Sequence, residues 1–137
     1  MVGTARMVMR LRLELFVNDV AASVKFYREA LNFEVMGQHA SYQALRRGDV
    51  RIAVQDFRTL APGHPLAHPG RRGLGVELVL EVPDVQAAHA QAVAHAPQVS
   101  PLVRQPWGLT DFRVTDPDGY YWRVTEQRRE NQLCAPP

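Results

Sequence analysis

Histidine and carboxylate side chains come close together in the sequence at one place where they could hold a metal ion. His64 and His68 lie four residues apart, and with Asp56 or Glu77 they would supply the nitrogen and oxygen ligands that zinc, nickel, manganese or iron(II) accept. Prolines flank both histidines and prevent the helix that would bring residues four apart onto one face. We therefore expect no metal site in this segment.

Covalent catalysis has no clear candidate in the sequence. Ser23 and Ser41 lack the Gly-x-Ser-x-Gly pattern that exposes a serine nucleophile. Cys134 is the only cysteine, which excludes an intramolecular disulfide and a cysteine zinc site, and no neighbour would activate its thiol. Glu77 and Glu81 share a strand face and offer a general base, although nearby arginines favour structural ion pairs. Catalytic residues stay unassigned, and the sequence leaves open whether the chain is an enzyme.

Arginine dominates the charge of the chain. Lys25 is the only lysine among 16 basic residues, and the formal net charge is +2. The arginines form separated pairs with no interleaved aromatic residues, so we expect no binding of nucleic acid. No apolar run approaches the ~20 residues that cross a bilayer, and the first residues lack the apolar stretch of a signal peptide. We expect a cytoplasmic protein with no membrane partner.

The elements that must position these side chains occur twice along the chain. A shift of the sequence on itself by 65 residues places Leu13 on Leu78 and Asp19 on Asp84. Before each aspartate the apolar residues alternate as in a strand, and after it they follow the period of a helix, for which the aspartate is a good N-cap. Three short strand-like runs follow each helix, so the sequence predicts the order βαβββ twice.

Turn residues divide the chain into its predicted parts. We expect one domain over 1–137, with repeat one over about 9–58, a connector rich in proline and glycine over about 59–73, repeat two over about 74–127 and a frayed polar tail over 128–137. The fold class is α+β, in which two βαβββ repeats form curled mixed sheets around a cleft, with the helices on the outer faces. His89 lies on the apolar stripe of the second helix and is expected to be a core histidine with one hydrogen bond.

Three segments carry a resemblance to a known superfamily. They are residues 26–33 (FYREALNF), residues 105–108 (QPWG) with Phe112 after them, and residues 116–119 (DPDG). The paired βαβββ pattern with these segments resembles the vicinal oxygen chelate superfamily, which includes glyoxalase I, extradiol dioxygenases and bleomycin-resistance proteins. The resemblance covers residues 9–127 and is closest to the bleomycin-resistance branch.

The resemblance also implies where a metal would be bound. Enzymes of the superfamily hold a divalent metal on the concave sheet faces, with ligands from the first and last strand of each repeat. Three of these positions fall on Arg12, Glu77 and Arg123, and the fourth lies on the strand expected over 50–55. An arginine guanidinium stays protonated and has no lone pair to donate, so we expect neither a metal nor another cofactor at this place.

These observations lead to a functional prediction with two alternatives. We predict a metal-free protein that binds a small organic molecule in a cleft, and the resemblance implies a homodimer. The expected ligand-binding residues are aromatic and charged: Arg12, Glu14, Phe16, Glu77, Trp107, Tyr121 and Arg123. We also expect Glu77 within about 3 Å of Arg12 or Arg123. One alternative is a metal-dependent lyase or dioxygenase with a displaced site that uses Glu77. The other is an antibiotic-sequestering resistance protein, although a net charge of +2 gives no long-range attraction for cationic bleomycin.

Overall fold

The structure, a computed structural model, describes residues 8–68 and 70–128. The predicted fraying of the tail beyond residue 128 and the prediction for Cys134 lie outside the described residues. No helix in the described part of the chain is long and apolar enough to cross a membrane.

The chain folds as two successive βαβββ units, as the internal repeat predicts. The first unit consists of β1 (Arg12–Val17), α1 (Val20–Glu29), β2 (Glu34–His39), β3 (Tyr42–Arg47) and β4 (Val50–Asp56). The second consists of β5 (Leu78–Val82), α2 (Val85–His95), β6 (Val103–Arg104), β7 (Thr110–Thr115) and β8 (Tyr121–Glu126). A short 3-10 turn over Phe57–Thr59 opens the connector between them.

Each unit forms its own four-stranded mixed sheet. The strand orders are β1-β4-β3-β2, hereafter sheet A, and β5-β8-β7-β6, hereafter sheet B. In each sheet the first and last strands of the unit pair in parallel, and the other pairs are antiparallel. The α+β class and the doubled βαβββ order are therefore confirmed, and the two sheets stay separate.

The helices begin where the sequence predicts. The Asp19 carboxylate accepts the Ala22 backbone N–H at 3.1 Å, and the Asp84 carboxylate accepts the Ala87 N–H at 3.0 Å. Each carboxylate satisfies a backbone donor that the first turn of a helix leaves without a partner. After α1, Asn32 takes a left-handed conformation with φ 59°, which turns the chain into β2.

One strand boundary differs from the prediction. The alternation of residues 99–103 predicts a longer strand, whereas β6 spans only Val103–Arg104. Val99 makes an isolated bridge to Val114, and the Ser100 hydroxyl accepts the Arg113 backbone N–H at 2.6 Å. Because Pro101 has no N–H to offer, the ladder is interrupted between these contacts and β6.

Both sheets turn one face to a common core. Leu15 and Val17 of β1 and Leu80 and Val82 of β5 are buried in this core together with the apolar faces of α1 and α2. Trp122 of β8 also points into it, as the alternation of the last strand predicts. The opposite face of each sheet is polar, and no helix within residues 8–68 and 70–128 covers it.

A buried polar cluster joins the two units. The Tyr27 hydroxyl of α1 donates to Asp116 at 2.6 Å and accepts the Trp122 indole N–H at 3.1 Å. The other oxygen of Asp116 accepts the backbone N–H groups of Asp118 and Tyr120 at 2.9 and 2.8 Å. Asp116 therefore holds the turn before β8 and anchors it to α1 of the other unit.

The connector is fastened to the same cluster by an arginine. Asp118 accepts the Asn18 backbone N–H at 2.7 Å, and the buried Arg72 guanidinium donates to the Asn18 side chain at 3.0 Å and to the His68 carbonyl at 3.0 Å. The Arg72 guanidinium also lies 4.5 Å from the centre of the Phe57 ring. These contacts fix the connector against the end of β1, where it forms one wall of a groove.

Candidate functional site

The polar face of sheet A carries three of the predicted ligand-binding residues on one strand. Arg12, Glu14 and Phe16 alternate along β1 and point away from the core. The Arg12 guanidinium lies 3.3 Å from the Glu14 carboxylate, and the Tyr42 hydroxyl of β3 donates to both Glu14 oxygens at 3.2 Å. Partial burial and the neighbouring Glu14 carboxylate raise the pKa of Tyr42, so Tyr42 remains a hydrogen-bond donor near neutral pH.

A groove of about 650 Å³ lies between this face and the connector. Glu14 and Phe16 line one side, and the connector supplies Leu66, His68 and Leu74 on the other. The volume falls within the range of about 300–1,000 Å³ that is usual for small-molecule sites. The connector, which the sequence indicates only as a loop, therefore forms one wall of this groove.

The polar face of sheet B carries a chain of alternating charges. The Arg113 guanidinium contacts Asp111 at 2.6 Å and Glu77 at 3.5 Å, and Arg123 contacts the other oxygen of Glu77 at 3.2 Å. Asp111 is only 1% exposed, and the same oxygen that binds Arg113 accepts the Gln105 side-chain N–H at 2.9 Å. Sequence reasoning missed Asp111 and Arg113, although their alternation with the apolar Phe112 and Val114 places both on the polar face.

Trp107 lies over this chain of charges. Its ring centre is 5.9 Å from the Arg123 guanidinium carbon, within the range of a cation–π contact. A hollow of about 230 Å³ next to it is lined by Val79, Glu81, Trp107, Leu109, Arg123 and Thr125, among others. Gly108, with φ 90°, allows the loop to turn directly after the tryptophan. The half-buried indole thus forms part of the wall of a hollow.

The structure separates the predicted residues into two groups. Arg12, Glu14 and Phe16 lie on sheet A, and the other four, Glu77, Trp107, Tyr121 and Arg123, belong to the second unit. The expectation that Glu77 lies near Arg12 or Arg123 is confirmed for Arg123, at 3.2 Å. The contact is an ion pair without a hydrogen bond, since the Arg123 Nε–H has no hydrogen-bond partner among the described residues. Arg12 pairs with Glu14 instead.

The residues present do not fit a divalent metal. The resemblance assigns Arg12 and Arg123 to two of the metal-ligand positions, a guanidinium has no lone pair to donate, and Glu77 is held between two guanidinium groups. Among residues 8–68 and 70–128, no group of three or more histidine, cysteine, aspartate or glutamate side chains lies close enough to share an ion. His64 and His68 therefore do not share a group of three such side chains with Asp56 or Glu77. His64 accepts the Leu66 backbone N–H at 3.0 Å.

His89 is half-buried against the core and makes one hydrogen bond. Its Nε2 lies 3.0 Å from the Ser100 carbonyl, and its ring packs edge-on against Phe112 with the centres 5.0 Å apart. Because a backbone carbonyl only accepts hydrogen bonds, Nε2 is the donor in this contact. His89 therefore links α2 to the segment before β6 and lies on the core side of the sheet.

Comparison with known proteins gives a consistent assignment. The family model of the Glyoxalase/Bleomycin resistance protein/Dioxygenase superfamily matches residues 10–124. The uncharacterised protein Mb0911c of Mycobacterium bovis is 28% identical over 124 residues, which are 85% of this chain and 82% of that protein.

Solved structures with other functions share the fold. A glyoxalase-related enzyme from Fulvimarina pelagi has a TM-score of 0.72 and 21% identity, with 88% of this chain and 89% of that chain covered. A bleomycin-binding protein from Streptomyces verticillus, complexed with copper(II)-bleomycin, has a TM-score of 0.64 and 22% identity, with 90% of this chain and 100% of that chain covered. At these identities the likeness is one of fold, and the side chains of the polar faces must decide the function.

Proposed function

The chain belongs to the Glyoxalase/Bleomycin resistance protein/Dioxygenase superfamily, and from that premise we propose that it binds a small organic molecule on its polar sheet faces without a metal ion. The observation that carries the proposal is the placement of Trp107 and Arg123 on the wall of a hollow of sheet B, with Glu77 paired to Arg123 at 3.2 Å. An aromatic wall next to charged hydrogen-bonding groups is typical of small-molecule sites.

The donor set favours binding over metal-assisted catalysis. A metal ion that acts as a Lewis acid needs ligands with free lone pairs, and a guanidinium has none. Glu77 is the one coordinating group at the three positions that the resemblance identifies residue by residue, and two arginines already compensate its charge. The arrangement is suited to hold polar groups of a ligand, because guanidinium forks and carboxylates both form directed hydrogen bonds.

A second copy of the chain would complete the site. The hollow beside Trp107, at about 230 Å³, is smaller than the usual small-molecule site and opens on an uncovered sheet face. Val79, Val103 and Tyr121 add exposed apolar surface on the same side of sheet B. We infer a homodimer in which a polar face of the partner subunit closes the hollow, so that the two groups of predicted residues contribute to one site.

The proposal is tested by the fluorescence of Trp107. An uncharged apolar probe such as N-phenyl-1-naphthylamine should accept energy from the indole in the unsubstituted protein, and Trp107→Ala should reduce that transfer to the part contributed by Trp122, with little change in thermal midpoint. Trp122 lies buried in the core and serves as an internal reference. Val93→Ala is the matched control, because it removes an exposed apolar side chain from α2, away from the polar faces.

Two outcomes would contradict the proposal. A large loss of thermal stability in Trp107→Ala would identify the indole as a packing residue. Stoichiometric retention of zinc, nickel, manganese or iron(II) after dialysis, lost again in Glu77→Gln, would support the metal-dependent lyase or dioxygenase instead.

A further inference from the structure

Three arginines stand side by side on the polar face of sheet A. The strand register places Arg12 of β1 opposite Arg51 of β4, and Arg51 opposite Arg46 of β3. Residues directly opposite on neighbouring strands share a face, and neighbouring strands lie about 4.8 Å apart. The three guanidinium groups therefore rise from one row that spans about 10 Å, hereafter the arginine row.

The structure leaves the middle of the arginine row uncompensated. Arg12 pairs with Glu14 at 3.3 Å, and Arg46 pairs with Glu34 at 3.6 Å, both at the flanks. Arg51 is exposed and has neither an ion pair nor a side-chain hydrogen bond among the described residues. Like charges directly opposite each other destabilise a sheet, so the fold alone gives no reason for three arginines in this register.

A hollow lies next to Arg46 and Arg51 of the row. Its volume is about 460 Å³, and its wall includes Arg10, Arg46 and Arg51 together with the turn between β3 and β4. Asp49 of that turn also lines the hollow but forms no ion pair within the described part of the chain. Three cations and one anion on the wall leave a positive balance, which attracts a negatively charged group.

We propose that the arginine row binds an oxyanion, a phosphate or carboxylate group, of the molecule that the polar faces bind. A planar guanidinium presents two parallel N–H donors to two oxygens of such a group, and adjacent forks can contact its remaining oxygens. The oxyanion supplies the charge that Arg51 lacks. This inference rests on the proposed function, since it assigns a chemical class to the ligand of the same faces.

The experiment measures the binding of two probes to the full chain. Inorganic pyrophosphate and glutarate are titrated separately by calorimetry, so that the two arms distinguish phosphate from carboxylate. We expect at least one probe to bind saturably, and Arg51→Gln to weaken its affinity by about tenfold or more, the size of one charge-assisted contact. Arg28→Gln is the matched control, because it removes the same charge from the exposed surface of α1.

The control separates a site from a general electrostatic field. A field effect would weaken binding equally in Arg51→Gln and Arg28→Gln and would disappear between about 0.01 M and 0.15 M salt, as the Debye length falls from about 30 Å to about 8 Å. Equal losses in the two variants, or no saturable binding of either probe, would overturn the proposal. The thermal midpoint of free Arg51→Gln shows that the variant is folded, and we expect it to equal or exceed that of the unsubstituted protein.

The outcome is distinguishable from a failure of the proposed function. Trp107→Ala should retain oxyanion binding, because neither probe carries an aromatic group for the indole to contact and Trp107 does not line the hollow beside the arginine row. If energy transfer from Trp107 to the apolar probe is seen but neither oxyanion binds, the proposed small-molecule site stands and the assignment of an oxyanion to its ligand is wrong. If an oxyanion binds and Trp107 does not respond, the arginine row is a site and the hollow of sheet B is not.

Discussion

The substitution Tyr27→Phe tests the buried polar cluster that joins the two units. The ring of Tyr27 is fully buried, so phenylalanine keeps the packing and removes only the hydroxyl. Asp116 then loses the donor at 2.6 Å, and the Trp122 indole N–H loses its acceptor at 3.1 Å. A hydrogen bond to a charged group contributes about 1.5–3 kcal/mol, and a stranded buried donor costs about 1–3 kcal/mol, so we expect a loss of roughly 3–5 kcal/mol in the free energy of unfolding.

Urea denaturation at pH 7, followed by far-UV circular dichroism, measures this loss. With a slope of about 2 kcal/mol per molar urea, the midpoint should fall by about 2 M at unchanged slope. Tyr121→Phe is the matched control, because its side chain is 37% exposed and its hydroxyl has no hydrogen bond among the described residues, so it should change the midpoint little. A loss below about 1 kcal/mol in Tyr27→Phe would refute the argument that the hydroxyl completes a buried network.

Three further predictions concern pH, assembly and a close approach of backbone. Burial raises the pKa of the Asp118 carboxyl above its ordinary value of 3.8, so the folded protein binds this proton more tightly than the unfolded chain does. Protonation of Asp118 therefore stabilises the fold at low pH, and this stabilisation is lost as the pH rises through the folded pKa. In urea titrations from pH 3.5 upward, the free energy of unfolding of Asp118→Asn should therefore rise relative to that of the unsubstituted protein. A difference between the two proteins that does not change with pH would contradict the raised pKa. Sedimentation at micromolar concentration should give twice the 15.4 kDa chain mass, and a single-chain mass would remove the dimer. In urea titrations, Gly73→Ala should destabilise the protein by about 1–3 kcal/mol more than Gly75→Ala. A Cβ at Gly73 would lie 2.7 Å from the Tyr120 ring, whereas Gly75, at a similar φ, faces open space. Equal losses in the two variants would rule out the clash.

The sequence predicts the local structure well, because local structure depends on neighbours in the chain. Asp19 and Asp84 begin helices since each carboxylate reaches N–H groups only three residues away. Alternation along β1 and β8 correctly assigns which side chains enter the core, Trp122 among them, since successive side chains on a strand point to opposite faces. The internal repeat and the family follow from these short-range patterns.

What surrounds each functional side chain depends on contacts between residues far apart in the sequence. Only the strand register shows that Arg51 stands between two other arginines, and only the tertiary structure shows that Arg12 pairs with Glu14 while Glu77 pairs with Arg113 and Arg123. The arginine row and the pairing of Glu77 with Arg113 and Arg123 depend on the hydrogen-bonded order of the strands.

The connector shows the same limit. Its composition predicts a loop, but the sequence does not reveal that Arg72 would be buried against Asn18 and would hold that loop over β1. The Arg72 guanidinium donates to Asn18 and His68, and its backbone N–H donates to the Asp118 carbonyl of the second unit, so these partners meet only when the two units pack together. The sequence by itself therefore determined the two repeats, their helix starts and the polar faces. The tertiary structure decided which charges on those faces compensate each other and which are left for a ligand, because Coulomb and hydrogen-bond energies depend on distances in space.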